Sequence, residues 1–182
     1  DGVAAGPPQV VAASSTSMRV TASSLGHSYT FAVQATNPAG ASPLSGSSAP
    51  VTPTTLPGSV TGLTVAVTGP TTATATWSPP ADSGGAPVTG YVVTTIPDHG
   101  GCSTPATSCV LTGLTPGEAM TVTVEAVTSV GRSAPVTSAP FTPMGPPTAP
   151  GRPQVRTAGT TSARVTWSAP TASNGAPITA LS

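Results

Sequence analysis

The sequence predicts an all-β protein assembled from small antiparallel β-sandwiches. Three observations predict it. Apolar and polar residues alternate with period two over short runs, as in strands with one buried and one wet face. The runs are punctuated by 23 Pro and 20 Gly in 182 residues, the residue types that end strands and shape turns. The chain also repeats itself: "WSPPADSGGAPVTGY" at 77–91 returns as "WSAPTASNGAPITAL" at 167–181.

The middle of the chain supplies the strands in order. "GLTVAVTG" (62–69) and "TATATW" (72–77) alternate cleanly, and "VTGYVVTTI" (88–96) forms a third strand. "SCVLTGL" (108–114) is a fourth, "MTVTVEAVT" (120–128) a fifth, and "APVTSAPF" (134–141) closes the set. Thr and Val, which are β-branched, suit a pleated, half-buried surface. Strands of this length and spacing predict one sandwich over 57–143.

The repeat sets the domain organisation. A shift of 90 residues, Trp77 to Trp167, lays 57–92 over 147–182. A shift of 91 lays 29–43 over 120–135, with Val33 on Val124, Ala35 on Ala126 and Gly40 on Gly131, the last few residues needing one further residue of shift. "GPPQVVAASSTSMRVT" (6–21) matches "GRPQVRTAGTTSARVT" (151–166). The chain therefore divides into 1–53, 57–143 and 147–182, with the outer two units incomplete. The first passes from its second strand to its fifth within 22–25, as a gapped record or a true miniature would. Asp1 is not a natural start, so the chain reads as a piece of something longer.

Composition excludes whole classes of function. Charged residues are 5% of the chain, against roughly 25% in an average soluble protein. There is no Lys, the cations are Arg19, Arg132, Arg152, Arg156 and Arg164, and the net charge is zero. Nucleic acids and anionic membrane surfaces both require clustered cations. No apolar run approaches the ~18 residues of a membrane span. Reliance on Ala, Gly, Pro and Arg fits a GC-rich, bacterial genome.

Trp77 near the end of the second strand, Tyr91 on the third, "LTGLTPGEAM" before the fifth and "VTSVGRSAP" after it resemble a fibronectin type III domain. The resemblance covers the middle unit fully and its neighbours in part. It implies an immunoglobulin-like β-sandwich, one complete domain flanked by two incomplete ones, with strands A, B, C, C′, E, F and G. By the same resemblance Trp77, Tyr91 and Leu114 form the core, Trp167 takes the Trp77 position in the last unit, and Tyr29 is the tyrosine-corner residue of the first. The middle unit departs from the family there: Met120 stands at the corner position, and a thioether cannot supply the phenolic hydrogen bond.

Cys102 and Cys109 enclose six residues, a spacing wrong for a zinc site or a redox CxxC pair. A local disulfide from C′ to the start of E is the leading reading, because secreted scaffolds use such staples. Two free, buried small hydrophobes are the alternative.

Nothing in the sequence calls for a cofactor or a metal, and no catalytic residue is assigned. Asp98 and His99 are neighbours in "PDHGG", but adjacent residues on an extended chain face opposite ways and have no third partner. His27 lies in a turn. Asp82 and Asn174 are the expected Asx-turn residues of the two B–C loops. Glu125 is expected on the solvent face of F.

The expectation is a non-catalytic, extracellular spacer or adhesion array of a larger secreted or cell-surface protein. A binding module accessory to a secreted glycoside hydrolase is the alternative. Its partner would be cell-wall or extracellular polysaccharide, or a surface protein. Aromatics at 3% of the chain, with both Trp at the core position, favour the spacer.

Overall fold

A computed structural model describes residues 8–181. Those residues form eleven strands: β1 (Thr36–Asn37), β2 (Gly40–Ala41), β3 (Thr61–Gly69), β4 (Thr72–Ser78), β5 (Gly90–Ile96), β6 (Gly101–Thr104), β7 (Ser108–Leu111), β8 (Thr121–Val127), β9 (Val136–Thr137), β10 (Gln154–Thr157) and β11 (Ala163–Thr166). No helix occurs among them.

β3 to β9 make the complete sandwich. One sheet is ordered β3-β4-β7 and the other β6-β5-β8-β9, with every pair antiparallel. In the family's letters these are A, B, E and C′, C, F, G. The alternation of the sequence becomes the alternation of burial. On β4, Ala73, Ala75 and Trp77 face inward, and on β8 so do Val122, Val124 and Ala126. Val60, Tyr91, Val93, Cys109, Leu111, Leu114 and Met120 complete the core between the sheets. Such close-packed apolar burial stabilises by ~25 cal/mol per Å² removed from water.

The outer faces are rich in threonine and carry little charge. Thr64 and Thr76 share a hydrogen bond across β3 and β4, and Thr94 and Thr123 share one across β5 and β8. Glu125, also outward, reaches Arg132 at 3.4 Å.

The flanking units are thinner than their sequences suggest. In the last, β10 and β11 pair from Gln154↔Thr166 to Thr157↔Ala163, and all eight residues are exposed. In the first, the F–G ribbon forms, with the β1–β2 hairpin at its tip and a Tyr29↔Val51 bridge at its base. Its expected A and B strands do not: residues 8–28 hold no strand, and Val10 is 94% exposed. The physical reason is the missing C–E segment, without which the ribbon has no facing sheet and the A–B residues have nothing to pack on. Residues 6 and 7 of that segment lie outside the described range.

Candidate functional site

Trp77 on β4 and Tyr91 on β5 come from opposite sheets and meet at the centre of the sandwich. Both rings are buried, and the contact is edge-to-face. Trp77 Nε1 is buried without a hydrogen-bond acceptor, an unusual state for an indole. Burial also lifts the Tyr91 phenol above its ordinary value of 10.0, because an apolar surround disfavours phenolate. Leu114, next to the last turn before F, is 2% exposed and shares this core.

Cys102 and Cys109 form a disulfide, with Cα atoms 6.6 Å apart. Cys102 lies on β6 and Cys109 on β7, so the bond crosses from one sheet to the other at the sandwich edge. Beside it, the β5–β6 turn is tied to the β7–β8 connection. His99 Nε2 lies 2.8 Å from Glu118 Oε2. The His99 backbone N–H donates to Thr95 Oγ1, and Thr95 Oγ1 donates to Gly100 O. Asp98 serves the turn itself, its Oδ1 accepting the Gly100 N–H at 2.9 Å. Thus His99 has a carboxylate partner, but that partner is Glu118, 19 residues on, and not Asp98. Residues separated this far in sequence meet only once both loops are folded.

Three expectations are corrected. Trp167 is not in a core: it is 49% exposed, because the last unit brings no second sheet against β11. Tyr29 is not in a core either. Its hydroxyl donates to Ser24 O at 2.9 Å and accepts from Ser24 N–H at 3.0 Å, so a tyrosine corner closes with no sandwich behind it. The Ser23 hydroxyl, first among several hydrogen bonds, lowers its phenol pKa. Asn174 does not shape its loop as Asp82 does. Asp82 Oδ1 accepts the Gly84 N–H at 2.8 Å, whereas Asn174 stands at the Gly84 position, at φ 53°. Asn is among the few non-Gly residues that tolerate this conformation. Its amide donates to Pro146 O at 2.6 Å.

Sequence reasoning missed a second function for serine. Opposite β8, Ser133 N–H donates to Ala126 O and Ser133 Oγ accepts the Ala126 N–H. Ser138 does the same with Val122. In the first unit Ser42, Ser45 and Ser48 repeat this reciprocal clip on Ala35, Val33 and Phe31. One side-chain oxygen thus replaces a ladder carbonyl on a Pro-rich strand that cannot pair regularly. The recurrence of Ser near Pro in "SPLSGSSAP" and "SAPVTSAP" was the available signal.

Among the described residues no group of three or more His, Cys, Asp or Glu converges to hold a metal ion, and no helix is long and apolar enough to cross a membrane. The complete sandwich is two sheets pinned by an aromatic pair and fastened at one edge by a disulfide.

This is an immunoglobulin-like β-sandwich. Residues 58–142 match the family model for the fibronectin type III domain, and that segment is a fibronectin type III domain. The fold likeness extends past it. The crystal structure of the rat CD45 extracellular region, domains d3-d4, superposes with a TM-score of 0.62 at 14% identity, covering 78% of each chain. Domains A168-A170 from titin give 0.45 at 22% identity over 50% of this chain. The FN1-FN3 domains of chicken CNTN1 give 0.42 at 18% identity over 56% of this chain and 37% of that one. The chain spans about a third (33%) of the titin structure. At these identities the likeness is one of fold.

Proposed function

We propose that the chain is part of a non-catalytic, extracellular array of tandem fibronectin type III modules, a spacer or adhesion segment of a larger secreted or cell-surface bacterial protein. The units 1–53, 57–143 and 147–182 are successive members of that array. One observation carries the reading: the complete module turns Trp77 and Tyr91 into its core, packs the half-buried Phe141 against it, and pairs threonines on its outer faces. A sugar-binding face needs exposed aromatic platforms, and a protein-docking face needs an apolar patch. The disulfide supports an oxidising, extracellular setting. The test is binding of the purified chain to a glycan array and to cell-wall preparations. A spacer is expected to show no saturable binding, and capture abolished by an outer-face Thr74→Arg substitution would overturn the spacer role in favour of the adhesive one.

The second reading, a polysaccharide- or protein-binding module accessory to a glycoside hydrolase, draws on Trp167, whose indole is half exposed. Glycan capture that Trp167→Ala abolishes would select it.

A further inference from the structure

The same joint occurs twice in the chain. At the first, Gly26 N–H donates to Pro53 O, Thr55 N–H to Gly84 O and Gly58 N–H to Asp82 O, at 2.8–2.9 Å. At the second, Gly117 N–H donates to Pro143 O, Gly145 N–H to Asn174 O and Thr148 N–H to Ala172 O, at 2.8–3.0 Å. The residues correspond through the sequence repeat: Gly26 to Gly117 by the 91-residue shift, and Pro53, Thr55, Gly58, Asp82 and Gly84 to their partners by the 90-residue shift. In each case the turn before F of one unit, the linker and the B–C loop of the next unit form one backbone-bonded assembly.

The two units touch directly through glycine. A Cβ on Gly26 would lie 2.7 Å from Gly85 O, and one on Gly85 would run into Gly26 N. At the second joint a Cβ on Gly117 would lie 3.0 Å from Gly175 N. All four glycines have φ between 75° and 91°, and only glycine allows both this backbone and so close an approach. A linker held by three backbone hydrogen bonds is not a free tether. Relative motion is the default for modules with small interfaces, and these contacts oppose it at a point where a flexible linker would otherwise set the geometry.

We infer that the B–C-loop end of each module is a socket for the turn before F of the preceding module. The partner it fits is another module of the same repeat, and each joint sets its two units at one fixed angle. The inference rests on the tandem-array reading and deepens it: the array is a stiff rod of repeated step.

The test is a distance measurement on the full chain with its native disulfide intact. Nitroxide labels on Ser47→Cys and Ala66→Cys report the first joint, and labels on Ala66→Cys and Ala163→Cys the second. Each pair is expected to give a single narrow distance distribution. Gly26→Ala and Gly85→Ala, which introduce the clash from opposite sides, should each lose the narrow peak of the first pair. At the second joint a Cβ on Gly175 would lie 3.1 Å from Pro143 O and 3.2 Å from Gly117 Cα, so Gly175→Ala should broaden the second peak, by less than Gly26→Ala and Gly85→Ala broaden the first. Gly100→Ala and Gly113→Ala are the controls. Both glycines have positive φ, 96° and 74°, but open space at Cβ, so backbone strain without the clash should leave the peaks narrow. Broad distributions in the unsubstituted chain, narrow ones in Gly26→Ala and Gly85→Ala, or equal broadening by the controls would overturn the joint. Ligand capture in the binding assay would sink the spacer reading while leaving these distances unchanged.

Discussion

Trp77 and Tyr91 meet across the two sheets with ring centroids 5.3 Å apart and planes at 67°. The indole N–H in this pair has no acceptor, so the ring is held by shape and area alone. Two substitutions separate those contributions. Trp77→Ala should destabilise the complete module by about 3–5 kcal/mol, the usual cost of emptying an aromatic site. Trp77→Phe loses less area and also removes the orphaned donor, and should cost only about 1–2 kcal/mol. Urea unfolding followed by circular dichroism reads both, and equal losses would show that the ring's size is not what matters.

Opening the Cys102–Cys109 bond removes an eight-residue ring closure. The expected loss is about 2–3 kcal/mol on the chain-entropy account. The core of Val93, Leu111 and Val124 remains, so the reduced module should still fold, with a lower Tm. Thermal scans with and without reductant measure the change. A thiol count of two in the untreated protein would remove the premise.

The serine clips differ in burial, and their substitution costs should differ accordingly. The Ser133 and Ser138 bonds to β8 are buried. Ser138→Ala leaves the Val122 N–H unpaired in the core, at about 1–3 kcal/mol. Ser45→Ala opens an exposed bond that water replaces, so its effect should stay below about 0.5 kcal/mol. Amide exchange makes the comparison site by site, with Val122 accelerated far more than Val33.

The two tyrosines should titrate in a fixed order. Hydrogen bonding lowers the Tyr29 phenol and burial raises that of Tyr91. Absorbance near 295 nm should therefore show an earlier step, abolished by Tyr29→Phe, and a later one. Because the folded Tyr91 value lies above the unfolded one, its contribution to stability is complete below about pH 10. That contribution is lost as pH rises through the folded value. A stability that stays flat above pH 10 would argue against burial of that phenol.

The His99–Glu118 contact, with side chains 21% and 35% exposed, should matter little to stability. Glu118→Gln should cost under about 1 kcal/mol, as other partly exposed polar side-chain contacts do. Denaturant midpoints of the two proteins are the measure.

What the sequence disclosed follows from where its signals are periodic. The complete sandwich was legible because alternation on 72–77 and 120–128 maps directly onto burial at Ala73, Ala75, Val122 and Val124. The flanking units were misread where likeness of residues was taken for likeness of environment. Trp167 has the neighbours in sequence that Trp77 has, but not a second sheet, and burial depends on the sheet. The pairing of His99 with Glu118 was illegible, since it depends on how two loops close. Asn174 was misjudged because one alignment position, its match to Gly84, decides between a capping side chain and a left-handed backbone.

The last strand of the complete module has a further consequence. β9 is two residues long, lies between Pro135 and Pro140, and is flanked by Ser133 and Ser138 clips that turn hydroxyls as well as amides toward β8. Such a border offers a foreign strand few free donors in register. Along this one border a second copy therefore finds little to pair with, without the lysine that often guards such an edge.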